Sequence, residues 1–349
     1  MATRPAVEAT LLLIFVLLFS GCSPAYVLKA GVGHMRMLAA KRPIERLLQD
    51  PRTPEGLKAG LRLSQEVRRF GVETMGLRTT RNYMSYVEVP RPYVALAVTA
   101  CKKTSFEPYE WWFPVMGRIP YKCHFDPKSA RREARRLEAK GYDTAIMEVE
   151  AYSTLGWTSD PVLSTMLGHG SGRLAEVLLH EMSHLAVYFK GQAEFNESAA
   201  TFLGQEGSAD FLRRRFGEDS PESREFSDSL RRERETVRAM EALYAELSRL
   251  YSSGASDEEK LLLREEVFSR ARPGLPLAPG RTLNNALVLG IRRYYCELGD
   301  FQRLHEGLGR DWKKTLQALR SLDRRRPREA LRERIGALTP PDGGATMPE

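Results

Sequence analysis

Two histidines and a glutamate, spaced H-E-x-x-H, interrupt a nearly continuous apolar stretch of the chain. Residues 173–190 read RLAEVLLHEMSHLAVYFK and predict a buried helix. His180 and His184 are one turn apart and share a face of this helix, with their Cβ atoms about 5–6 Å apart. That separation suits two imidazole nitrogens that bind one Zn²⁺ ion at about 2.0–2.1 Å. Glu181 lies about 100° around the helix, where a carboxylate can act as general base towards water at the metal.

A third ligand is expected from the next helix. A short turn is predicted at residues 190–192, so the following helix, Ala193 to about Phe216, can return antiparallel to the first. Glu197 in this second helix can then reach the same metal ion. Two histidines and one glutamate leave a coordination position open for water, as catalytic zinc sites do and structural ones do not. The sequence therefore predicts one Zn²⁺ ion, and its ligands are His180, His184 and Glu197.

The elements that must position these side chains follow from the periodicity of the sequence. Residues 22–80 predict a helical part with two helices, and residues 81–155 predict β strands in segments such as YVALAVTAC and TAIMEVEAY. Residues 170–322 predict a helical part that carries the zinc site. The predicted fold class is α+β, a small, mostly antiparallel sheet followed by a helical body, in a single domain over residues 22–322. The tail 323–349, basic and then rich in proline and glycine, is predicted to be disordered.

The amino terminus has the pattern of an export signal. Residues 9–19 read ATLLLIFVLLF, an apolar run shorter than the about 20 residues of a membrane-spanning helix. Small residues and Cys22 follow and resemble the lipobox of bacterial lipoproteins, so we expect a signal peptide over 1–21 and a lipid on Cys22. An uncleaved anchor or a simple signal peptide is the alternative. The lipoprotein interpretation places the protein in the bacterial cell envelope, anchored to the outer membrane and facing the periplasm.

The other cysteines are interpreted for an oxidising compartment. Cys101 and Cys123 flank a β segment and could form a disulfide that closes a loop of about 20 residues, worth about 3 kcal/mol. Two buried thiols are the alternative. Cys296, in an apolar helical stretch, is predicted to be a thiol in the core.

Composition and charge exclude several classes of protein. Hydrophobic residues make up 42% and charged residues 28% of the 349 residues, as in globular rather than disordered chains. Four cysteines exclude a disulfide-rich scaffold. The net charge is +8, but the basic residues concentrate on a predicted helix over 126–139 and in the tail, without interleaved aromatic residues. Nucleic acid is therefore not expected as a partner.

The sequence around the predicted ligands resembles the gluzincin metallopeptidases. HEMSH followed by FNESAATF is similar to the zinc helix and the glutamate helix of that group. WWFPVMGRIPYK, AYSTLGWTSDPVLSTML and LNNALVLGIRRYY are similar to segments of bacterial envelope lipoproteins described as predicted aminopeptidases. The resemblance extends from residue 26 to 322. It implies a gluzincin-like fold and a zinc peptidase with a peptide as substrate, the three ligands named above and Glu181 as catalytic base.

The implied reaction assigns roles to further residues. Glu181 would take a proton from the attacking water and return it to the leaving amine. A donor must also stabilise the oxyanion, and Tyr152, in the loop before the zinc helix, is the first candidate. The other candidates are His169, Tyr294 and Tyr295. Asn196 and Thr201 could orient the ligands through hydrogen bonds, although Asn196 could instead cap the second helix.

Three interpretations of the function remain. The first is a zinc-dependent aminopeptidase of the cell envelope. A periplasmic endopeptidase is the second, because the G-x-M-E-N element that binds the substrate's α-amine in aminopeptidase N is absent from this chain. The third is a metal-binding lipoprotein without catalysis; Glu181 argues against it, since a structural metal site does not need this carboxylate.

Overall fold

The computed structural model describes residues 24–338, except for 79, 114–116 and 155. The predicted signal peptide 1–21 and the predicted lipidation site Cys22 lie outside the described residues. Within the described ranges, every helix is too short or too polar to cross a lipid bilayer.

The N-terminal part is helical, as the periodicity predicts, but it holds three helices instead of two. Its elements are α1 (Pro24–Ala39), α2 (Ile44–Gln49), α3 (Glu55–Phe70) and a π-helical turn (Gly71–Met75). Pro43 and Pro54 stand at the N-caps of α2 and α3, where a residue without a backbone N–H donor starts a helix rather than continuing one. The prolines therefore divide this part of the chain.

The β-rich part forms three small sheets rather than one. Its strands are β1 (Arg42–Pro43), β2 (Ser85–Val87), β3 (Ala95–Lys102), β4 (Trp111–Phe113), β5 (Gly117–Ile119), β6 (Lys122–His124), β7 (Tyr142–Val149) and β8 (Val162–Leu163). The central sheet has the order β6-β3-β7, with antiparallel pairs throughout. β4 and β5 form a hairpin, and β2 pairs antiparallel with β1 and parallel with β8. The mostly antiparallel character is as predicted.

The central sheet is covered by helices on both faces. One face carries α4 (Pro127–Glu138), which begins at the N-cap Asp126, whose carboxylate accepts hydrogen bonds from the next backbone amides. The other face carries α10 (Asn285–Tyr295), which contacts β3 and β7. Because helices cover both sides, β3 is buried over all but its last residue, and its sequence reads as a continuous apolar run.

The chain after β8 forms helices joined by turns and short loops. Its helices are α5 (Ser164–Leu167), α6 (Gly170–Ser183), α7 (Ala193–Phe216), α8 (Pro221–Tyr251), α9 (Asp257–Ala271), α10, α11 (Leu298–Gly307), α12 (Trp312–Arg320) and α13 (Pro327–Leu338). α7 has the predicted bounds, whereas α11 was not predicted as a separate helix. α6 and α7 pack against each other at the centre of the main core. α8, α9 and α10 enclose a smaller apolar cluster of their own.

The prediction of disorder for the tail is wrong over α13. Leu331 is fully buried in the main core, with Ile335 and Leu338 packed beside it. These residues recur at helical spacing, so the segment has an apolar face despite its many arginines. Arg328 and Arg332 both pair with Glu297, and the basic side chains therefore fix this helix to the body of the protein.

The predicted disulfide is also wrong. Cys101, Cys123 and Cys296 are all thiols in the structure. The register of the central sheet pairs Cys123 with Ala97, not with Cys101. Four residues of strand separate Ala97 from Cys101, about 13 Å, whereas a disulfide needs Cα atoms within about 7 Å. Cys296 is buried in the core, as predicted.

Candidate active site

The two histidines of the H-E-x-x-H motif lie at the end of α6, which stops at Ser183 instead of continuing to residue 190. His184 is the C-cap and keeps right-handed helical backbone angles, φ −59° and ψ −24°. The one-turn relation to His180 is therefore preserved. The rings are nearly perpendicular, with centroids 4.9 Å apart, and the two Nε2 atoms lie 3.2 Å from each other.

Glu197, in the first turns of α7, completes a three-donor group. Its Oε2 lies 3.4 Å from His180 Nε2 and 3.6 Å from His184 Nε2. Two ligands of a tetrahedral zinc ion at about 2.0–2.1 Å are about 3.3–3.4 Å from each other. The three donor atoms therefore have the mutual spacing of zinc ligands, and these three residues could hold one metal ion.

The spacing of the three donor atoms depends on the short distance between α6 and α7. Gly204 permits this close approach of the two helices. A Cβ atom at Gly204 would lie 2.9 Å from the backbone oxygen of Glu176 and 3.2 Å from His180 Cβ. Contacts below 3.0 Å are essentially not tolerated, so a side chain here would push the helices apart. The missing side chain brings α7 against the helix that carries both histidines.

Asn196 fixes the link between the two helices, which is not the role that the sequence predicted. Its Oδ1 accepts a hydrogen bond from the backbone N–H of Phe189 and its Nδ2 donates one to the Phe189 carbonyl, both at 2.8 Å. The residue is buried and lies within α7, whose N-cap is Gln192. Asn196 therefore holds the connecting turn against α7, next to Glu197.

Thr201 and Tyr121 also surround the ligand group. Thr201 is buried one turn after Glu197 and lines the same cavity, but no described hydrogen bond joins it to a ligand. Tyr121 was not predicted: its hydroxyl donates to Glu197 Oε1 at 3.2 Å, and the guanidinium of Arg293 stacks on its ring at 4.9 Å. No spacing rule links residues 76 positions apart, so sequence reasoning had no signal for this contact.

The ionisation of two of the three donors, Glu197 and His184, suits metal binding. Burial opposes a charge on Glu197, but His184 and His180 lower its pKa to about 2. Burial lowers the pKa of His184 to about 4. Burial acts in the same sense on His180, whose pKa is nevertheless raised by Glu197 and Glu181. An ionised carboxylate and a neutral imidazole are the forms that bind a metal.

Glu181 lies beside the donors and is only 7% exposed. Burial raises its pKa to about 7; the positive charge of His180 opposes this rise, while Glu197 and Asp160 add to it. A carboxylate that titrates near neutral pH can both accept and return a proton at that pH, which is what a general base and acid must do.

These groups face a cavity of about 530 Å³, a size typical of sites for small ligands. The end of α6 and the start of α7 form one wall, and β7 forms another, with Met147 and Val149 in its lining. α8 and α10 close the cavity with Val237 and Ile291. The cavity therefore surrounds the donors and Glu181 with apolar side chains from several elements and with further charged side chains, among them Arg173 and Glu176.

The predicted oxyanion donors differ in where their polar atoms lie. Tyr152 lines the cavity, but its hydroxyl is hydrogen-bonded to Nδ1 of His34 at 2.7 Å. Tyr295 donates to Glu233. His169 is exposed at the N-cap of α6, about 16 Å along the helix from His180. None of these three groups is brought to the donor cluster.

Tyr294 is the predicted candidate that the structure brings to the cluster. Its ring centroid lies 6.3 Å from that of His180, and it lines the cavity. Burial raises its pKa, and the negative charges of Glu197 and Glu181 contribute. Within the described part of the chain its hydroxyl has no assigned hydrogen-bond partner, so it can donate to a ligand in the cavity.

Comparison with known proteins assigns the chain to one protein family. No curated protein and no solved structure matches the chain. The model of one protein family, described as "Putative aminopeptidase", matches residues 25–334. That match covers the three sheets, the helices α6 and α7 and all residues of the candidate site. The chain therefore belongs to the family of putative aminopeptidases, which supports assignment as a peptidase.

Proposed function

We propose that this protein is a zinc-dependent peptidase. The observation that carries the proposal is the spacing of the three donor atoms, 3.2, 3.4 and 3.6 Å from one another, which is the spacing of ligands around one tetrahedral ion. Two imidazoles and one carboxylate are a donor set that favours zinc. Membership of an aminopeptidase family supports peptides as substrates.

Three residues would hold the metal, and each is anchored by the fold. His180 and His184 are fixed by α6, while Glu197 is held by α7 and by the hydroxyl of Tyr121. When bound, zinc supplies a Lewis acid that polarises a peptide carbonyl and acidifies water. The remaining steps belong to the side chains around it.

Glu181 moves the proton in this proposal. Its carboxylate takes a proton from the attacking water and later delivers it to the nitrogen of the leaving amine. Tyr294 donates its hydroxyl hydrogen bond to the oxygen on which negative charge develops. The burial of Glu181 strengthens its electrostatic interactions, because little water reaches the carboxylate.

We further propose that the protein works in the bacterial cell envelope. The lipobox-like sequence around Cys22 supports a lipid anchor in the outer membrane, with the enzyme facing the periplasm. α1 begins at Pro24, so the proposed anchor directly precedes the first described helix.

Metal content and turnover of purified variants test the proposal together. We expect about one zinc ion per chain in the wild type and hydrolysis of unmodified peptides that stops when a chelator removes the metal. His184→Ala should lose both the metal and the activity. Glu181→Gln should keep the metal but lose roughly 10²–10⁴-fold in kcat.

A matched control variant distinguishes the loss of the general base from the loss of a negative charge elsewhere in the protein. Glu206→Gln removes a carboxylate of α7 that pairs with Arg234 outside the cavity and should leave kcat unchanged. Full activity of Glu181→Gln would show that this residue is not the base. Zinc without hydrolysis by the wild type would instead favour a metal-binding protein without catalysis.

A further inference from the structure

The wall of the cavity contains a buried arginine, Arg293. It is one of three cations in the lining, with Arg118 and Arg173. Arg173 is neutralised, since it pairs with Glu150 at 3.1 Å and with Glu176 at 3.0 Å. The side chain of Arg118 is 74% exposed, so water screens its charge. Arg293 is only 4% exposed, and no ion pair of the described residues includes it.

The contacts of Arg293 do not use its whole guanidinium. Its Nη2 donates a hydrogen bond to the carbonyl of Pro120 at 3.3 Å, while its Nε is buried without a hydrogen-bond partner among the described residues. The guanidinium also lies over the ring of Tyr121. A guanidinium has five N–H donors, and a buried charge with unpaired donors is destabilising unless an anion compensates it.

Arg293 lies close to the three donors. The hydroxyl of Ser198, the residue after Glu197, donates to the Arg293 carbonyl at 3.1 Å, which fixes this part of α10 beside the start of α7. The charge of Arg293 contributes to the low pKa of Glu197, but Glu197 Oε2 faces His180 and His184 at 3.4 and 3.6 Å. Glu197 therefore belongs to the donor cluster, and the charge of Arg293 is available to an anion in the cavity.

The distance from Arg293 to the donors limits the size of the ligand. Tyr121 bridges the two: its ring centroid lies 4.9 Å from the guanidinium carbon, and its hydroxyl lies 3.2 Å from Glu197 Oε1. The guanidinium carbon is therefore within about 11 Å of this oxygen. An extended peptide advances about 3.3–3.6 Å per residue, so at most three residues fit between a peptide bond at the donors and an anion at Arg293.

We infer that Arg293 binds the C-terminal carboxylate of a short peptide, one whose chain ends within three residues after the bond that is cleaved. The inference rests on the proposed function and specifies its substrate class. The fork of a guanidinium matches the two oxygens of a carboxylate. A long peptide or a protein would place a neutral backbone amide at this position and leave the charge of Arg293 uncompensated.

Binding of two dipeptides tests this subsite without relying on turnover. Calorimetry on the zinc-loaded Glu181→Gln protein, in which hydrolysis is prevented, would compare alanyl-alanine with alanyl-alanine amide. We expect the acid to bind roughly ten- to hundredfold more tightly than the amide, and Arg293→Gln to remove most of this preference. A preference that persists in Arg293→Gln would show that the carboxylate binds elsewhere and would overturn the inference.

Two further variants separate recognition from a structural effect. Arg293→Lys keeps the positive charge without the fork and should retain part of the preference for the acid. Arg292→Gln is the matched control, since Arg292 precedes Arg293 on α10 but pairs with Glu241 at 2.9 Å and lies outside the cavity lining; the preference should remain complete. If Arg293→Gln weakened acid and amide equally, Arg293 would only support Tyr121 and the subsite would be wrong.

The anion can also come from a side chain of the substrate, and further probes distinguish the two sources. Alanyl-glutamic acid α-amide carries a side-chain carboxylate and an amidated C terminus. If it binds as tightly as alanyl-alanine, and Arg293→Gln weakens it equally, the subsite recognises side chains and our assignment is overturned. Weak binding of this probe supports the C-terminal carboxylate.

A longer peptide tests the limit on length. Hexa-alanine and hexa-alanine amide should bind with equal affinity, because a cleavable bond near the amino terminus places the carboxylate beyond Arg293. A preference for the acid as large as that of the dipeptide would contradict the limit of three residues.

Hydrolysis assays in the native Glu181 background separate this inference from the proposed function. Metal-dependent cleavage of the acid and amide forms at a ratio that Arg293→Gln does not change would overturn the subsite and leave the peptidase intact. A binding preference for the acid that Arg293→Gln abolishes, in a protein without hydrolysis, would support the subsite and contradict the peptidase.

Discussion

Tyrosine hydroxyls surround the candidate site, and the bonds that they already make decide which of them can act on a ligand. The hydroxyl of Tyr152 is paired with His34, that of Tyr295 with Glu233 and that of Tyr121 with Glu197. The ring of Tyr294 lies beside that of His180, and among the described residues its hydroxyl has no assigned hydrogen-bond partner. A donor can stabilise a developing oxyanion only if it is not already committed to another acceptor.

Removing single hydroxyl groups tests this distinction. Tyr294→Phe should reduce kcat roughly 10²–10³-fold with little change in metal content, because the ring and its packing remain. Tyr152→Phe is the matched change on the other side of the cavity and should have a small effect. Steady-state kinetics on both variants, with thermal unfolding as a check of folding, gives the answer. A larger loss in Tyr152→Phe would restore that residue as the oxyanion donor.

At the scale of elements, the close packing of α6 and α7 sets the spacing of the donors. The two helices meet where Gly204 lies against Glu176 and His180. Asn196 secures the turn between them through both of its amide atoms. The site therefore depends on a helix pair rather than on a flexible loop, which holds the three donor side chains in place.

Adding one methyl group should disturb this helix pair. Gly204→Ala places a Cβ 2.9 Å from a backbone oxygen, so the helices must separate, at a cost of about 1–3 kcal/mol of unfolding free energy. Because His180 lies on the displaced helix, zinc affinity should fall as well. Denaturant unfolding and metal titration measure the two effects.

Gly56→Ala provides the comparison in another helix. Nothing lies within 4 Å of a Cβ built at Gly56, so this substitution should leave the protein as stable as before or slightly more stable. If Gly204→Ala behaved like Gly56→Ala in both measurements, the close helix approach would not be what sets the donor spacing.

At the scale of the whole molecule, buried histidines make stability depend on pH. His124, at the end of β6, is 7% exposed, and burial, aided by the charge of Lys122, lowers its pKa from 6.5 to about 4. Below pH 6.5 the unfolded chain therefore binds a proton that the folded chain does not. The stabilisation of the fold that comes from keeping His124 neutral is complete above pH 6.5 and is lost as the pH falls towards 4.

Replacing this histidine should reduce the acid sensitivity of the fold. His124→Leu should lower the slope of unfolding free energy against pH between about 4 and 6.5, by at most one proton, whatever its effect on stability at neutral pH. His169→Gln is the control, since His169 is exposed. Urea unfolding at a series of pH values measures the slope. Parallel curves for the wild type and His124→Leu would show that His124 is already protonated in the folded state or neutral in both states.

Local patterns in the sequence were enough to predict α6 and α7 and the three donors on them, although they missed α11 and the end of α6 at Ser183. The bounds of α7 follow from helical periodicity, and the fold class follows from the change of pattern along the chain. The prediction of disorder for the tail is wrong over α13 because it gave weight to the arginines and not to the helical spacing of Leu331 and its apolar neighbours. The prediction of a disulfide is wrong because the distance between Cys101 and Cys123 depends on strand register. The positions of two cysteines in the sequence do not reveal that register.

The sequence by itself determined the donor set, because His180, Glu181 and His184 are related by a single helical turn and Glu197 by one short connection. Only the tertiary structure decided which side chains join them. Tyr121, Tyr294 and Glu233 come from a strand connection and two distant helices, and chain folding, not spacing along the sequence, brings them to one cavity. Contacts of this kind depend on how the elements pack against each other, which local periodicity does not encode.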